Sequence, residues 1–349
     1  MDVALKIWRY NPQRGDRELR EYEVDAPEWA CLLDVLDLIK DKHDGTLAYR
    51  KSCRMMICGS CGMRMDGRAI LACKEPMKPI VEAGHVPTIA PMGNMPVLKD
   101  LVVDMAPFWN KIRAMKPWLD PGYDEVAEKE RIVSQQQVNA IHKEALCIMC
   151  GCCVSECNSM ESDPEFLGPA ALAKGFRFVG DPRDKADVER LNEYNQEHGI
   201  WDCTRCYFCN ERCPKGVDPR DAIAKLGAES IKQKVDHDMG AKHAKWFVKS
   251  AETTGWLRET ELVPKTQGTV EAVKQIGFAL KLAKHGKVPP PFPPHVAKDV
   301  QEARALRDLV RQQGREGAAG IVQGERGLAM IEHVLEADAE HSGGKSGSD

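Results

Sequence analysis

The N-terminal part of the chain switches from a strand-like to a helix-like pattern of apolar residues. Val3, Leu5 and Ile7 alternate with polar or small neighbours, and a second short strand near residues 19–24 follows a turn containing Asn, Pro and Gly. Apolar residues then recur at helical spacing. These positions are Trp29, Leu32, Leu33, Leu36 and Ile39. The pattern therefore predicts a β-hairpin followed by a helix.

The middle of the chain begins with a proline-rich segment and continues with helical patterns. Residues 86–96 hold three prolines and one glycine, which predicts a linker. The region 97–235 is predicted to be helical, beginning with a helix whose apolar face comprises Leu98, Leu101, Val102, Met105, Trp109 and Ile112. Another helix is predicted from Pro219 to about Lys234, with Asp218 as its cap.

The last part of the chain, residues 236–349, contains no cysteine. It carries a helical pattern at 270–284, a proline-rich run at 288–294 and a charged helical pattern near 297–313. The tail 342–349 is rich in Gly and Ser and is predicted to be disordered. Three parts are therefore predicted: residues 1–95 with the linker 86–96, residues 97–235, and an extension at 236–349.

Charge and hydropathy restrict the kinds of partner. A net charge of −4 over 349 residues gives no indication of a nucleic-acid partner. The first residues lack the basic and apolar regions of a signal peptide, and no segment approaches the ~20 apolar residues needed to cross a bilayer. We therefore expect a cytoplasmic protein that is peripheral on the inner face of the plasma membrane through partner subunits.

Twelve of the fourteen cysteines fall into three groups with the spacing of iron–sulphur ligands. The first group has the C-x4-C-x2-C spacing of plant-type ferredoxins and a fourth cysteine further on. Its members are Cys53, Cys58, Cys61 and Cys73. The other two groups share the C-x2-C-x2-C-x3-C spacing of bacterial ferredoxins. They are Cys147, Cys150, Cys153 and Cys157, followed by Cys203, Cys206, Cys209 and Cys213.

The spacing also predicts which cysteines share a cluster. The first group is assigned to one [2Fe–2S] cluster. In two-cluster ferredoxins the fourth cysteine of each run ligates the other cluster. One [4Fe–4S] cluster is therefore assigned to Cys147, Cys150, Cys153 and Cys213. The last cluster is assigned to Cys157, Cys203, Cys206 and Cys209. Soft, anionic thiolates suit iron, and a chain with three such clusters is predicted to carry single electrons.

Zinc sites are the alternative, because C-x2-C pairs also occur in zinc-binding loops. The C-x4-C step and the nearby Gly59 and Gly62 favour iron in the first group. Cys31 lies in an apolar pattern and is predicted to be a buried small hydrophobe, whereas Cys152 is predicted to be a non-ligand. The sequence has no GxGxxG fingerprint, so a flavin is expected on another chain.

Residues around the first group resemble a known family. Segments 50–54, 58–62 and 71–73 read RKSCR, CGSCG and LAC, and resemble the [2Fe–2S] loop of succinate dehydrogenase and fumarate reductase iron–sulphur subunits. The segments DLVVDM at 100–105 and CPKGVDP at 213–219 also fit, so the resemblance covers about residues 3–235.

The resemblance implies an α+β fold. Its parts are a β-grasp plant-type ferredoxin domain, an all-α bacterial-ferredoxin-like domain and a helical extension. It also implies a partner flavoprotein whose FAD interconverts succinate and fumarate, so the dicarboxylate site is not on this chain. Electrons are expected to run from FAD through the [2Fe–2S] cluster and the two later clusters to a quinone at a membrane anchor. Arg50, Lys51 and Arg54 are candidates for facing the flavoprotein, with a solvated basic turn as the alternative.

Two departures from the family leave a second function open. Typical members lack a cysteine at the position of Cys206 and carry a [3Fe–4S] cluster there, so this chain is predicted to hold a [4Fe–4S] cluster instead. The family's Pro-Ser and nearby Trp at the quinone site are matched here only by Ser159. Residues 278–291 resemble the end of heterodisulfide-reductase-type iron–sulphur subunits. The alternative is therefore an electron carrier of a heterodisulfide-reductase-like or thiol-linked fumarate reductase complex with a cysteine-rich partner.

Overall fold

The computed structural model describes residues 1–122, 130–287 and 296–302, with residues 304, 305, 308 and 309. The proline-rich run at 288–294 and the tail lie outside the described residues, and the charged helix near 297–313 is described only in part. One structural unit comprises residues 1–190 and 197–223. A second comprises residues 191–196 and the chain from residue 224 onward. All fourteen cysteines lie in the first unit.

A five-stranded mixed sheet forms the N-terminal part of the first unit. Its strands are β1 (Asp2–Asn11), β2 (Asp16–Asp25), β3 (Gly62–Met65), β4 (Arg68–Leu71) and β5 (Thr88–Ala90). The order across the sheet is β2-β1-β5-β3-β4, and only β1 and β5 run parallel. Val3, Leu5 and Ile7 are fully buried, which confirms the predicted hairpin and its inward face.

The prediction of a linker at 86–96 is wrong for residues 88–90, because they form β5 in the middle of the sheet. Ile89 pairs with Ile7 of β1 on one side and with Met65 of β3 on the other. Pro87 and Pro91 stand just outside this strand, where their missing N–H groups remove no hydrogen bond of the ladder. Three strand residues between prolines are too few to produce a recognisable alternation, so only the tertiary pairing defines β5.

The first helix, α1 (Leu32–Lys42), starts later than its apolar pattern predicts. Trp29 precedes it and is 77% exposed, whereas Leu32, Leu36 and Ile39 are buried. Cys31 is extended and forms a β-bridge with Pro76, while the N–H of Leu32 donates to the carbonyl of Glu75 at 2.8 Å. These long-range contacts hold the chain extended just before the helix. Cys31 is therefore a half-buried N-cap, not a residue within an apolar helix.

The helix predicted from residue 98 is also wrong in its first half. Val97–Lys99 (β6) and Val102–Val103 (β7) form a two-stranded ladder, and the helix α3 spans only Ala106–Ala114. Asp100 has φ +48° at the turn between the strands. Its buried carboxylate accepts N–H groups of Tyr10 and Ala48, at 3.0 and 2.8 Å. These hydrogen bonds fix a turn where the apolar spacing suggests a helix.

The remaining helices of the first unit are a short helix between β4 and β5 and the helices of the region that carries the later cysteines. They are α2 (Lys78–Glu82), α4 (Gln135–Ala145), α5 (Cys152–Ser155), α6 (Asn158–Ser162), α7 (Pro169–Val179), α8 (Asp187–Tyr194), α9 (Phe208–Glu211) and α10 (Pro219–Lys232). Helices α8 and α10 each run on into the second unit. Helix α10 begins at Pro219, as predicted, and the N–H of Arg220 donates to the side chain of Asn210 at 2.8 Å.

The ferredoxin-like part and the cluster-bearing helices form one unit, unlike the predicted division at residue 95. Gly93 donates its N–H to the hydroxyl of Ser155 at 2.9 Å. The Asn94 amide donates to the carbonyls of Val154 and Cys157, at 2.8 and 3.0 Å. The proline-rich segment therefore binds the helices directly, because its polar groups complete the ends of α5 and of the turn after it.

The second unit continues with further helices after α10. They are α11 (Met239–Thr254), α12 (Glu259–Thr266), α13 (Thr269–Lys274) and α14 (Ile276–Lys284). The helix predicted at 270–284 is confirmed, although it is divided at Gln275. Within the described part of the chain, every helix is too short or too polar to cross a membrane.

Candidate iron–sulphur sites

Backbone amides of the first cysteine loop converge on sulphur atoms. The Sγ atom of Cys53 accepts three N–H groups at 3.3–3.4 Å, those of residues 55, 57 and 58. The N–H of Met56 donates to Cys73 Sγ at 3.3 Å, and the N–H of residue 60 donates to Cys58 Sγ at 3.5 Å. Arg54 and Met56 have φ +58° and +59°. This left-handed backbone turns successive amides inward, toward the sulphurs.

A close approach joins this loop to the second cysteine run. Gly59 has φ +72°, and a Cβ atom added there would lie 2.7 Å from the Cβ of Cys150. Only glycine fits this position, because any side chain would displace the backbone of the neighbouring loop. The loops that carry the first two cysteine groups are therefore in direct contact.

The thiols of the first group lie in unequal environments. Burial raises the pKa of Cys61 to about 12, whereas a hydrogen bond with the Ser60 hydroxyl lowers the pKa of Cys58 to about 6. A side-chain hydrogen bond with Cys73 also raises the pKa of Cys61. Iron binding would displace the remaining protons, as metal binding to thiols does generally.

An acidic side chain of α1 forms hydrogen bonds with residues of the first cysteine loop and its surroundings. Asp37 accepts hydrogen bonds from Lys51 at 2.7 Å and from Arg54 and Tyr49. Burial acts to raise the pKa of Asp37, but these hydrogen bonds lower it below its ordinary value. Lys51 and Arg54, considered above for contact with a flavoprotein, thus have partners on this chain. Both remain more than 40% exposed, so that hypothesis stays a prediction.

One cavity is lined by four cysteines from two distant segments. Cys147 and Cys150 line it from the loop before α5, Cys153 from α5 itself, and Cys213 from the loop before α10. Ala170, Ala173 and Val217 contribute apolar wall, and the N–H of Val217 donates to Cys213 Sγ at 3.3 Å. The structure thus brings together the four residues that the crossed ferredoxin pattern assigns to one site.

Cys152, predicted to be a non-ligand, contacts this group through its thiol. It is fully buried at the start of α5, and its sulphur lies 3.8 Å from the carbonyl oxygen of Ile70. A hydrogen bond from its thiol is the main cause that lowers the pKa of Cys150 to about 7. The same bond and burial raise the pKa of Cys152 well above its ordinary value. Cys152 therefore contacts both Ile70 and Cys150, which its sequence position does not indicate.

The last four cysteines also approach one another. Burial, together with the charges of Cys203, Cys157 and Cys206, raises the pKa of Cys209 to about 12. Ser159 is buried, and its hydroxyl accepts the N–H of Thr204 at 3.1 Å, next to Cys203. The one residue that matches the family's quinone-site motif thus supports the backbone of this cysteine loop.

The two later cysteine runs repeat one backbone conformation. Met149 and Gly151 have φ +54° and +82°, and the residues at the same offsets in the third run, Arg205 and Tyr207, have φ +57° and +67°. Gly151 and Tyr207 are the N-caps of α5 and α9. Cys206 therefore occupies the same place in its loop as Cys150 does in the second run.

These features fit iron–sulphur clusters at all three groups. Each offers four thiols, and amide N–H groups are aimed at sulphur in the first two, which is how proteins hold such clusters and set their potentials. A family model described as a 2Fe-2S iron-sulfur cluster binding domain matches residues 4–110, and one described as a 4Fe-4S dicluster domain matches residues 145–217. The chain therefore belongs to the class of proteins that combine both types of ferredoxin domain.

Similarity to known proteins identifies the family. The fumarate reductase iron-sulfur subunit of Haemophilus influenzae is 39% identical over 245 residues, 67% of this chain and 94% of that protein. The 8-methylmenaquinol:fumarate reductase iron-sulfur subunit of Wolinella succinogenes is 33% identical over 81% of this chain and 90% of its own length. This chain belongs to the family of fumarate reductase and succinate dehydrogenase iron–sulphur subunits, as its cysteine loops predict.

A solved structure supports the same conclusion. The chain is similar, with a TM-score of 0.62 and 27% identity, to a chain of the Mycobacterium smegmatis Sdh1 complex in the apo form. The match covers 68% of this chain and 98% of that one. The predicted α+β fold class, with a ferredoxin-type sheet domain before a helical cluster region, is therefore confirmed.

Proposed function

We propose that this chain is the electron-transfer subunit of a complex that interconverts succinate and fumarate. Membership of the iron–sulphur subunit family, with all three cysteine groups present, is the observation that carries the proposal. When bound, the clusters would accept and donate single electrons. The dicarboxylate chemistry belongs to a flavoprotein partner carrying FAD, and a membrane-anchor or cysteine-rich subunit with a quinone is the other partner.

The ligand assignment follows the three groups. The [2Fe–2S] cluster would be held by Cys53, Cys58, Cys61 and Cys73. The first [4Fe–4S] cluster would be held by Cys147, Cys150, Cys153 and Cys213. The last cluster, also [4Fe–4S], would be held by Cys157, Cys203, Cys206 and Cys209. The shared cavity supports the second set, and the repeated backbone conformation supports Cys206 in the third.

The chain's own residues set the environment of the electrons. Backbone N–H groups donate hydrogen bonds to the Sγ atoms of Cys53, Cys73 and Cys213. These hydrogen bonds stabilise negative charge on sulphur, which favours the reduced state of a cluster. The apolar wall beside Cys147 and Cys213 excludes water, which limits solvent rearrangement around the site. These residues act by holding sulphur atoms and shielding them, and no proton needs to move at any of them.

Purification of the intact complex tests the function. Pull-down of the tagged full chain from its native cells is expected to recover a flavoprotein and succinate- or fumarate-dependent electron transfer to an artificial dye. Pairing with a flavoprotein inert toward both acids would overturn the proposal. The name of the Wolinella relative favours a quinone of the menaquinone type as the membrane partner, and plasma-membrane location through partner subunits is part of the same proposal.

Cys206 decides the type of the last cluster. In EPR of the air-oxidised complex, the unaltered protein is expected to lack a strong [3Fe–4S] signal. Cys206→Ala is expected to create that signal because three cysteines would remain. Cys31→Ala is the control, since it removes a thiol outside the assigned sets. A large [3Fe–4S] signal in intact, anaerobically prepared protein would remove Cys206 from the ligand set.

A heterodisulfide-reductase-like complex is the second candidate. The complete third cysteine set and the replacement of the usual quinone-site residues around Ser159 favour it. The identity of the co-purifying partner separates the two candidates. A subunit with paired cysteine-rich CCG repeats would indicate thiol-linked electron transfer, whereas a multi-span cytochrome b-like subunit would indicate a quinone.

A further inference from the structure

Helices α13 and α14 of the second unit expose several large apolar side chains. Val270 and Val273 on α13 are 73% and 65% exposed. On α14, Ile276, Phe278 and Leu280 are 50%, 63% and 65% exposed. Neither helix has a buried residue among the described part of the chain. Exposed apolar residues are ordinary singly, but a continuous set of them marks a contact surface.

Helical geometry separates apolar from cationic residues on α14. At about 3.6 residues per turn, Ile276, Leu280 and Ala283 share one side, with Phe278 and Leu282 continuing the apolar surface around it. Lys281, Lys284 and His285 lie on the remaining side. The apolar surface is therefore wide, and its border is formed by basic residues.

Charge along this segment is predominantly positive. Between residues 269 and 287 the only acidic residue is Glu271, which pairs with Lys274 at 2.9 Å. No ion pair to the described residues is found for Lys281, Lys284 or Lys287. Lysines on and just after α14, beside an apolar surface and without acidic residues on that helix, complement a negatively charged surface that is apolar underneath. A bilayer with anionic headgroups has both properties.

We propose that α13 and α14 form a contact site for the surface of an anionic lipid bilayer. In this arrangement α14 lies in the plane of the interface. Its apolar side chains enter the boundary between headgroups and acyl chains, and its lysines contact lipid phosphates. The chain thus contacts the membrane itself, beyond the contact through partner subunits included in the proposed function.

Vesicle co-sedimentation of the full chain tests this site. Vesicles of phosphatidylcholine alone are expected to bind weakly, and vesicles with about one-third phosphatidylglycerol strongly, with binding that falls as salt is raised. Neutralising Lys281, Lys284 and Lys287 to Gln is expected to weaken binding to the anionic vesicles about a hundredfold, since each lysine near such a surface contributes roughly fivefold. Phe278→Ser with Leu280→Ser is expected to weaken binding to the anionic vesicles as well, because the apolar contact with the bilayer is lost.

A matched control uses lysines outside this segment. Changing Lys42, Lys99 and Lys242 to Gln removes the same charge from other exposed positions and is expected to leave vesicle binding nearly unchanged. Far-ultraviolet circular dichroism verifies that each variant keeps its helices, and this readout does not depend on lipid. Equal binding of both vesicle types, equal loss in the control, or concentration-dependent dimerisation abolished by the Phe278 and Leu280 changes would each overturn the proposal.

Discussion

At the scale of single residues, side chains outside the cysteine groups control the cluster loops. Asp37 is the clearest case, because one carboxylate anchors Lys51, Arg54 and Tyr49. Arg54 has a left-handed backbone that directs neighbouring amides at Cys53. The anchor is therefore expected to determine how firmly the first loop is held.

Replacement of Asp37 tests this role. Asp37→Asn is expected to destabilise the folded conformation of the first cysteine loop by about 1 kcal/mol, because charge-assisted hydrogen bonds are lost at a partly exposed site. When a chelator is added, the absorbance of the [2Fe–2S] cluster should then decay roughly fivefold faster than in the unaltered protein. Asp41→Asn, on an exposed position of the same helix, is the control. Equal rates in both variants would show that Asp37 does not hold the loop.

Cys152 is expected to tune the site that contains Cys150. Its buried thiol is hydrogen-bonded with Cys150, and a thiol that donates to a ligating sulphur favours the reduced state. Cys152→Ala should therefore lower the reduction potential of that cluster by about 40 mV, the one-electron equivalent of roughly 1 kcal/mol. Redox titration followed by EPR measures the shift. An unchanged potential, or loss of the cluster, would contradict a tuning role.

At the scale of elements, a buried charge network joins the β6–β7 turn to the sheet. Arg9 on β1 donates to Asp100 at 2.9 and 3.2 Å and also contacts Asp44, Tyr22 and Thr46. Arg9 and Asp100 are 8% and 2% exposed. Because Asp100 also accepts two backbone N–H groups, this pair fixes both the turn and its place on the sheet.

Breaking this network is expected to lower the stability of the folded protein. Asp100→Ala leaves the buried charge of Arg9 incompletely compensated and two backbone N–H groups without their acceptor, which should lower the free energy of unfolding by about 3–5 kcal/mol. Chemical denaturation monitored by circular dichroism measures the loss. Adding Arg9→Met should recover part of the stability, because the unpaired charge disappears. Simple additivity of the two changes would show that they do not interact.

At the scale of the whole molecule, cofactor binding and partner contact are expected to be separable. Every cysteine lies in the first unit, whereas α13 and α14 lie in the second. Deletion of residues 270–349 should leave about ten iron atoms per chain, the content of the three assigned clusters. The same deletion should release the membrane or anchor partner. Iron loss from the truncated chain would show that the extension is needed for the clusters.

Sequence alone was sufficient where chemistry depends on local spacing. The cysteine loops predicted the ferredoxin domains and the family, because a short loop must present thiols at fixed intervals to surround one cluster. The N-terminal alternation likewise predicted β1 and β2, since one face of that hairpin is buried. The start of α10 was also predictable, because Pro219 favours the first position of a helix.

Only the tertiary structure decided features that depend on distant contacts. Strand β5 exists because Ile89 pairs with two strands far away in the chain, and β6 and β7 replace a predicted helix because buried Asp100 fixes the turn. Cys31 caps α1 because a bridge to Pro76 keeps it extended. The anchor at Asp37 and the thiol contact of Cys152 have the same origin. Local spacing cannot predict any of these features, because their energies come from partners that only folding brings together.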